Sequence, residues 1–375
     1  MCLSVARSPV GARVVSLPSA YLHPSPSAIR CYTPASVWIR FRGGGSRVRR
    51  IVLGVLVSLL FLFLALRGQD YAALVRALRT ATYWWLLPAI AVYFVGVVLR
   101  AMRWSILLSP VRSLSWRQLF PAVSVGYMAN NVLPFRTGEI VRAYAIGRQF
   151  GLSKTATLTT IVLERLLDGL TMLGFIVVAA TVVALDNALR HVALFASALF
   201  LPAFGLLIVA ARSARTLSVA LWALQYAPRA VRARAERLVR SGFAGMAVFR
   251  SSSALLQAIG LSLAAWLAEA AMYALVAHAF ALDLSPALVL LTTAAANLAT
   301  LIPSSPGYIG PFEAGVLLVL AGVGGIARSL ALSYAIVLHA ALYLPITLVG
   351  LVFWSKLQLD WAVLRRARTE EVVPS

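Results

Sequence analysis

The stretch LERLLDGL, residues 163–170, places Glu164 and Asp168 four residues apart with Arg165 beside them, inside an apolar run. On a helix, residues at that spacing share a face. An ionised side chain near the centre of a spanning helix costs roughly 2.5 to 3.5 kcal/mol on insertion scales. Such groups persist where they line a wet cavity, meet a ligand or pair with one another. Two further stretches carry comparable groups. NNVLPFRTGE, residues 130–139, contains Asn131, Arg136 and Glu139, with Arg142 just beyond, and NLATLIPSSPGYIGPFE, residues 297–313, ends on Glu313. The chemistry that suits these residues is recognition of a charged headgroup. Arg136, Arg142 and Arg165 would attract an anion, because the planar guanidinium fork can bind two phosphate oxygens at once. The acids would hold those arginines in place, or receive a cationic moiety or a proton. The competing reading is internal pairing that only locks helices together, and for Glu164 and Asp168 both readings stand. The place of Arg136 and Glu139 beside a helix break favours function.

Catalysis finds no counterpart. The chain has no G-x-S-x-G elbow and no phosphate-binding G-x-x-x-x-G-K-[ST] loop. Apart from the N-terminal tail, its longest polar stretch is the basic loop 212–250, too short for a catalytic domain. No catalytic residue is assigned, and the protein is not expected to be an enzyme. Cys2 and Cys31 both precede the first apolar run, and no cluster of His, Cys and carboxylates has ligand spacing, so neither metal nor cofactor is expected. Glu269 has no charged neighbour along the chain; it either faces the cavity or is neutral and hydrogen-bonded to another helix, and the second reading is the favoured one. His278 and His339 are expected to be packed core residues.

Composition decides the class of fold that holds these residues. Hydrophobic residues make up 61% of the chain and charged residues 12%, about half the 25% typical of soluble domains. This is the composition of a polytopic membrane protein. The net charge of +22 is almost wholly arginine, with Lys154 and Lys356 the only lysines. The arginines cluster between apolar runs, as the positive-inside bias requires, which excludes nucleic acid as a partner and leaves membrane lipids. Residues 1–50 contain no Asp or Glu and many Ser, Pro and Arg, without an apolar secretory core. They read as a disordered basic extension or an over-called start, although a transit peptide shares the composition.

Apolar runs long enough to cross a bilayer lie at 51–66, 83–99, 156–185, 191–211, 253–281 and 329–354. Arg100 and Arg103 are read as flanking charges of the second run. Segments 118–150 and 286–323 instead have an apolar arm, a break at Pro134 and Gly138 or at Pro303 and Gly310, and a second arm. Backbone groups freed by such breaks at membrane depth must be buried in protein or line a cavity, which a re-entrant hairpin satisfies. With two hairpins, the basic segments 40–50, 100–117, 212–250 and 356–368 all fall on the cytoplasmic side, together with both termini. The expected fold is therefore all-α, with about six spanning helices plus two re-entrant hairpins. The halves 51–185 and 191–354 each run span, span, hairpin, span. Three crossings per half make them an inverted repeat, the arrangement in which broken helices mark a transporter site. Asn131, Pro134, Gly138 and Glu139 recur in order as Asn297, Pro303, Gly310 and Glu313. Residues 229–240 read as an interfacial amphipathic helix or a solvated connector, and the small-residue run 292–300 as a close packing face. Residues 356–375 form a cytoplasmic tail.

GYMANNVLPFRTGEIVRAY, LERLLDGL and NLATLIPSSPGYIGPFEAGV, in that order, resemble the membrane domain of lysylphosphatidylglycerol synthases and its flippase-like relatives, over residues 51–355. The resemblance implies a bacterial or archaeal inner-membrane protein that moves an aminoacylated phospholipid between leaflets, or serves glycolipid, polyprenyl-linked sugar or hopanoid traffic. It places the family's polar motif on Asn131, Pro134, Arg136, Gly138, Glu139, Arg142, Glu164, Arg165, Asp168, Pro303, Gly307, Gly310 and Glu313. The full synthases carry a soluble transferase domain after the membrane part, whereas here about 20 residues follow the last run, so lipid aminoacylation is not expected. Two alternatives to a translocase stand: an accessory subunit that binds lipid-linked intermediates for a glycosyltransferase or lipid synthase, and an integral membrane transferase. The sequence does not fix the oligomeric state.

Overall fold

The computed structural model of the protein describes residues 44–133, 137–226, 228–357 and 359, and among these all regular secondary structure is helical. The first half begins with α1 (Gly44–Leu66), the short α2 (Tyr71–Thr80) and α3 (Leu86–Leu108). A helix–break–helix unit follows, α4 (Trp116–Val132) and α5 (Gly138–Phe150), then α6 (Lys154–Ala180). The second half begins with α7 (Asn187–Arg212), the connectors α8 (Ala214–Ala223) and α9 (Arg229–Met246), and α10 (Ser252–Ala279). A second helix–break–helix unit, α11 (Pro286–Ala299) and α12 (Pro311–Leu320), precedes α13 (Arg328–Lys356). All six expected runs are helices, and both odd segments break where Pro and Gly predict.

Four stretches are each long and apolar enough to cross a membrane: Tyr83–Leu108, Asn187–Arg212, Ser252–Ala279 and Arg328–Lys356. A fifth is reached if α1 and α2, bent by 90°, count as one. The expected six therefore become four to five by length and composition. The 27-residue α6 is long enough, but it carries Glu164, Arg165 and Asp168 in its apolar stretch. The first helix also starts earlier than its apolar run, at Gly44, while residues 1–43 and both cysteines lie outside the described residues.

Helix packing repeats when the halves are exchanged. α6 lies on α11 as α13 lies on α4, α9 meets α6 as α2 meets α13, and α5 packs on α6 as α12 packs on α13. α3 and α10, which the exchange swaps, make the most extensive helix contact in the molecule. An approximate two-fold relation between the halves produces this pattern. Side chains are distributed inside out relative to a soluble protein. Leu206, Phe195 and Leu348 are more than half exposed, as lipid-facing residues are, whereas Arg100, Arg103, Arg142, Glu164, Asp168, Glu269 and Glu313 are buried.

The two breaks are built differently. In the first, Asn130 reaches across: its Oδ1 accepts from the Gly138 amide at 2.8 Å, and its Nδ2 donates to Glu139 Oε1 at 3.3 Å. This supplies the free N-terminus of α5 with an acceptor. The arms approach so closely that a Cβ on Gly138 would overlap the Gly126 carbonyl and the Asn130 amide. In the second, Gly307 (φ 75°) and Gly310 (φ 98°) hold left-handed backbone that favours glycine. The Gly310 amide donates to Glu313 Oε2 at 2.6 Å, and Pro311 occupies the first helical position. Gly315 faces Ala295 and Ala296, so the small-residue run does provide a close packing face.

Candidate functional site

Between the halves lies a cavity of about 140 Å³, lined by Arg100 on α3, Asn131 on α4, Glu139 on α5, Arg165 on α6, Glu269 on α10 and His339 on α13. Asn297 and Phe312 bring the second hairpin to the same wall. The tips of the two hairpins meet there, where a Cβ on Gly307 would lie 3.6 Å from the Asn131 carbonyl oxygen, and the first tip is also held by α13: Asn131 Nδ2 donates to Thr347 Oγ1 at 2.9 Å, and the Tyr343 hydroxyl donates to the Asn131 carbonyl at 3.2 Å. A Cβ on Gly307 would lie 2.6 Å from the Tyr343 ring, which pins the second tip against the same tyrosine. On the other side, Ser58 of α1 accepts from the Ser305 amide at 2.9 Å. Each break is thus clamped by a helix outside its own hairpin.

Behind the cavity wall runs a chain of buried charges. Arg103, fully buried, donates to Asp168 Oδ1 at 2.6 Å and to Ser262 Oγ at 2.5 Å, and lies 3.5 Å from Glu164 Oε1. Glu164 also pairs with Arg142, whose guanidinium sits 3.8 Å from the centroid of the Trp104 ring. The Trp266 indole donates to Asp168 Oδ1 at 2.8 Å. Arg165 meets Asp168 Oδ2 at 3.2 Å, and its side chain is 32% exposed against 0% for Arg103. Across the two-fold, Arg100 and Glu269 pair at 2.6 Å, and Asn297 Nδ2 donates to Glu269 Oε1 at 3.2 Å.

Among the described residues, Arg100, Arg103, Arg142 and Arg165 thus pair with Glu164, Asp168 and Glu269, and Glu139, bonded to Asn130, is a fourth acid beside them. With all eight ionised the set is neutral, which limits the desolvation cost of burying it. Glu139 Oε2 and Arg165 Nε lack hydrogen-bond partners, and both residues line the cavity. The cavity lining therefore carries both a cation and an anion.

A separate pair ties the second hairpin to α13. His339 Nδ1 lies 2.5 Å from Glu313 Oε1, and Nε2 lies 2.8 Å from the Gly307 carbonyl. A carbonyl only accepts, so Nε2 carries a proton. The short contact at Nδ1 then holds a second proton, on either the ring or the carboxyl.

Of the residues read from the sequence, Asn131, Glu139 and Arg165 line the cavity, while Arg142, Glu164 and Asp168 form the charge chain behind it. Glu313 serves as cap and histidine partner. Pro134 and Arg136 lie outside the described residues. Three expectations are corrected. Arg100 and Arg103 are not flanking charges: α3 continues to Leu108, two turns past the apolar run, and carries both into the interior. Glu269 does not follow the favoured reading of a group bonded only to another helix: it pairs with Arg100 and faces the cavity, the other reading. Neither histidine is a plain core residue: His339 binds Glu313 and the Gly307 carbonyl, and His278 is exposed beside Trp85. The missed signal was partnership: Glu164, Asp168 and Glu269 each demand a buried cation, and the apolar WSILL after Arg103 shows that the helix continues.

No curated protein and no solved structure matches the chain significantly. Its apolar helices and its family both mark an integral, multi-pass membrane protein related to lipid metabolism. The family model described as the lysylphosphatidylglycerol synthase TM region matches residues 51–350, a span that holds every residue of this site, and the chain belongs to that family.

Proposed function

We propose that the protein is a lipid translocase, in which the cavity shields the headgroup of a phosphate-bearing lipid while its tails stay in the bilayer. One observation carries the reading: the cavity is lined from both halves and capped by the meeting tips of two broken helices. Broken helices in corresponding places of two repeats are where secondary transporters hold substrate, and rocking of the repeats exposes such a site to each side in turn. Arg165 offers its fork to phosphate, and Glu139 offers a carboxylate to a cationic group such as an aminoacyl ammonium. This pairing favours an anionic or aminoacylated phospholipid, or a lipid-linked glycan. The proposed setting is a bacterial or archaeal inner membrane with both termini in the cytoplasm, and no catalytic step is assigned to the chain.

Native mass spectrometry of the purified protein tests the binding step. The reading expects a co-purified phosphate-bearing lipid that is depleted in Arg165→Ala and Glu139→Ala. Equal retention in both variants would contradict it. A protein that retains the lipid but never moves it would instead be the accessory subunit of a glycosyltransferase or lipid synthase.

A further inference from the structure

At about 140 Å³, the polar cavity is smaller than the 300–1,000 Å³ of an ordinary ligand pocket, so a lipid headgroup would fill it and the chains must leave. One wall opens. A second cavity of about 110 Å³ shares Arg165, Trp266, Asn297 and Thr300 with the first. It also shares Phe200, Leu298 and Leu301 with a third cavity, of about 850 Å³, between α7, α1 and the second hairpin. The three adjoin in a row along which the lining changes character. Arg165 and Asp168 stand at the inner end, while among the described residues His191 is the only titratable one around the outer cavity. Phe195, Leu199, Leu301 and Ile302 there are more than a third exposed, so the outer cavity faces the lipid.

The junction is a single ring. Phe200 on α7 lines both the second and the third cavity, and it is seated on Gly169, the residue after Asp168. A Cβ at Gly169 would overlap the Phe200 ring, so glycine is what allows the ring to rest there. Two residues on, Pro202 lies inside α7 and removes the hydrogen bond that would tie this turn to the carbonyl of Ala198. The helix is therefore easiest to bend beside the ring.

We infer that one acyl chain of the bound lipid runs from the polar cavity past Phe200 into the groove between α7 and the second hairpin, with Phe200 as the gate and Gly169 as its seat. The inference rests on the lipid reading above. The occupant is set by continuity: only an amphiphile with a charged end and a long apolar end matches a route that is ionic at one end and almost wholly apolar at the other. A soluble substrate would leave the largest part of the route empty.

The test uses the full chain in phosphatidylglycerol nanodiscs with two photoreactive phosphatidylglycerols, one carrying a diazirine near the end of an acyl chain and the other on the headgroup. The tail probe is expected to label residues 195–200 and 298–302, and the headgroup probe the cavity at Tyr127 and Tyr343. Gly169→Leu, which pushes the ring into the route, should reduce tail labelling there roughly ten-fold, an occupancy change of about 1.4 kcal/mol. Adding Phe200→Ala to that variant should restore it. Phe200→Ala alone should raise tail labelling, and it covers the case in which Gly169→Leu fails to fold. Tail labelling spread over the exposed faces of α1, α3 and α13, or unchanged by every variant, would overturn the inference while cavity labelling by the headgroup probe upholds the lipid reading. Absence of headgroup labelling in the cavity would overturn both.

Discussion

The Arg100 guanidinium and the Glu269 carboxylate meet at 2.6 Å across the contact between α3 and α10, the two helices that exchange places under the approximate two-fold. Both side chains are buried, and Arg100 also lies 4.5 Å from the centroid of the Trp266 ring. Removing one partner strands the other as an unpaired buried charge. Glu269→Ala is therefore expected to destabilise the protein by about 3 to 5 kcal/mol, read as a fall in its thermal midpoint in detergent. A double Arg100→Met, Glu269→Met variant should recover most of that stability, because apolar replacement of a buried pair is often neutral. If the double variant falls as far as the single one, the pair is not what holds this contact.

Exposure separates two arginines on the same acid. Arg103 and Arg165 both pair with Asp168, but only Arg165 reaches the cavity. Arg103→Ala should cost folded protein. Arg165→Ala should leave the thermal midpoint within a few degrees while weakening headgroup binding by roughly ten-fold, about 1.4 kcal/mol. Lipid titration monitored by tryptophan fluorescence checks the second part, and a loss of folding in Arg165→Ala would assign that residue to the scaffold instead.

Gly310 combines left-handed backbone with close contact. A Cβ there would lie 2.8 Å from the Ser58 carbonyl oxygen, whereas Gly68, also at positive φ, has open space around it. Gly310→Ala should therefore destabilise by more than the approximately 1 to 2 kcal/mol that left-handed backbone alone costs an L-residue, and Gly68→Ala by no more than that. Comparable thermal shifts in the two variants would mean that α1 does not clamp the second break.

The proton count at His339 is open to spectroscopy. With Nε2 donating to the Gly307 carbonyl, nitrogen-15 solid-state spectra should show a protonated Nε2 in the folded protein. Glu313→Gln should preserve that signal, since a side-chain amide can still donate to Nδ1. A ring protonated only at Nδ1 would contradict the arrangement.

Much of this architecture was legible in the sequence because a membrane reduces the options. Apolar runs marked the long helices, and Pro with Gly marked the two breaks to within a few residues, as the helices ending at Val132 and Ala299 show. Intrahelical charges were equally visible, so Glu164, Arg165 and Asp168 stood out in α6. What could not be read was pairing between distant segments. Arg103 meets Asp168 65 residues away and Glu269 meets Arg100 across 169, and neither separation leaves a local pattern. Arg100 and Arg103 were misread because a hydropathy run ends at its first charge, whereas the helix ends only where its backbone does. The exchange of partners between halves, α6 on α11 and α13 on α4, likewise belongs to packing and not to periodicity.

The central claim is that a lipid headgroup crosses through this cavity, and the direct measurement is leaflet exchange in proteoliposomes. Fluorescent phosphatidylglycerol in the inner leaflet becomes accessible to an external quencher only after it has crossed. Wild-type protein is expected to speed that crossing well above protein-free vesicles, and Glu139→Ala and Arg165→Ala to return it to the protein-free rate with the amount of folded protein unchanged. Wild-type rates in both variants, or no acceleration by the wild type for any phosphate-bearing lipid tested, would contradict the account.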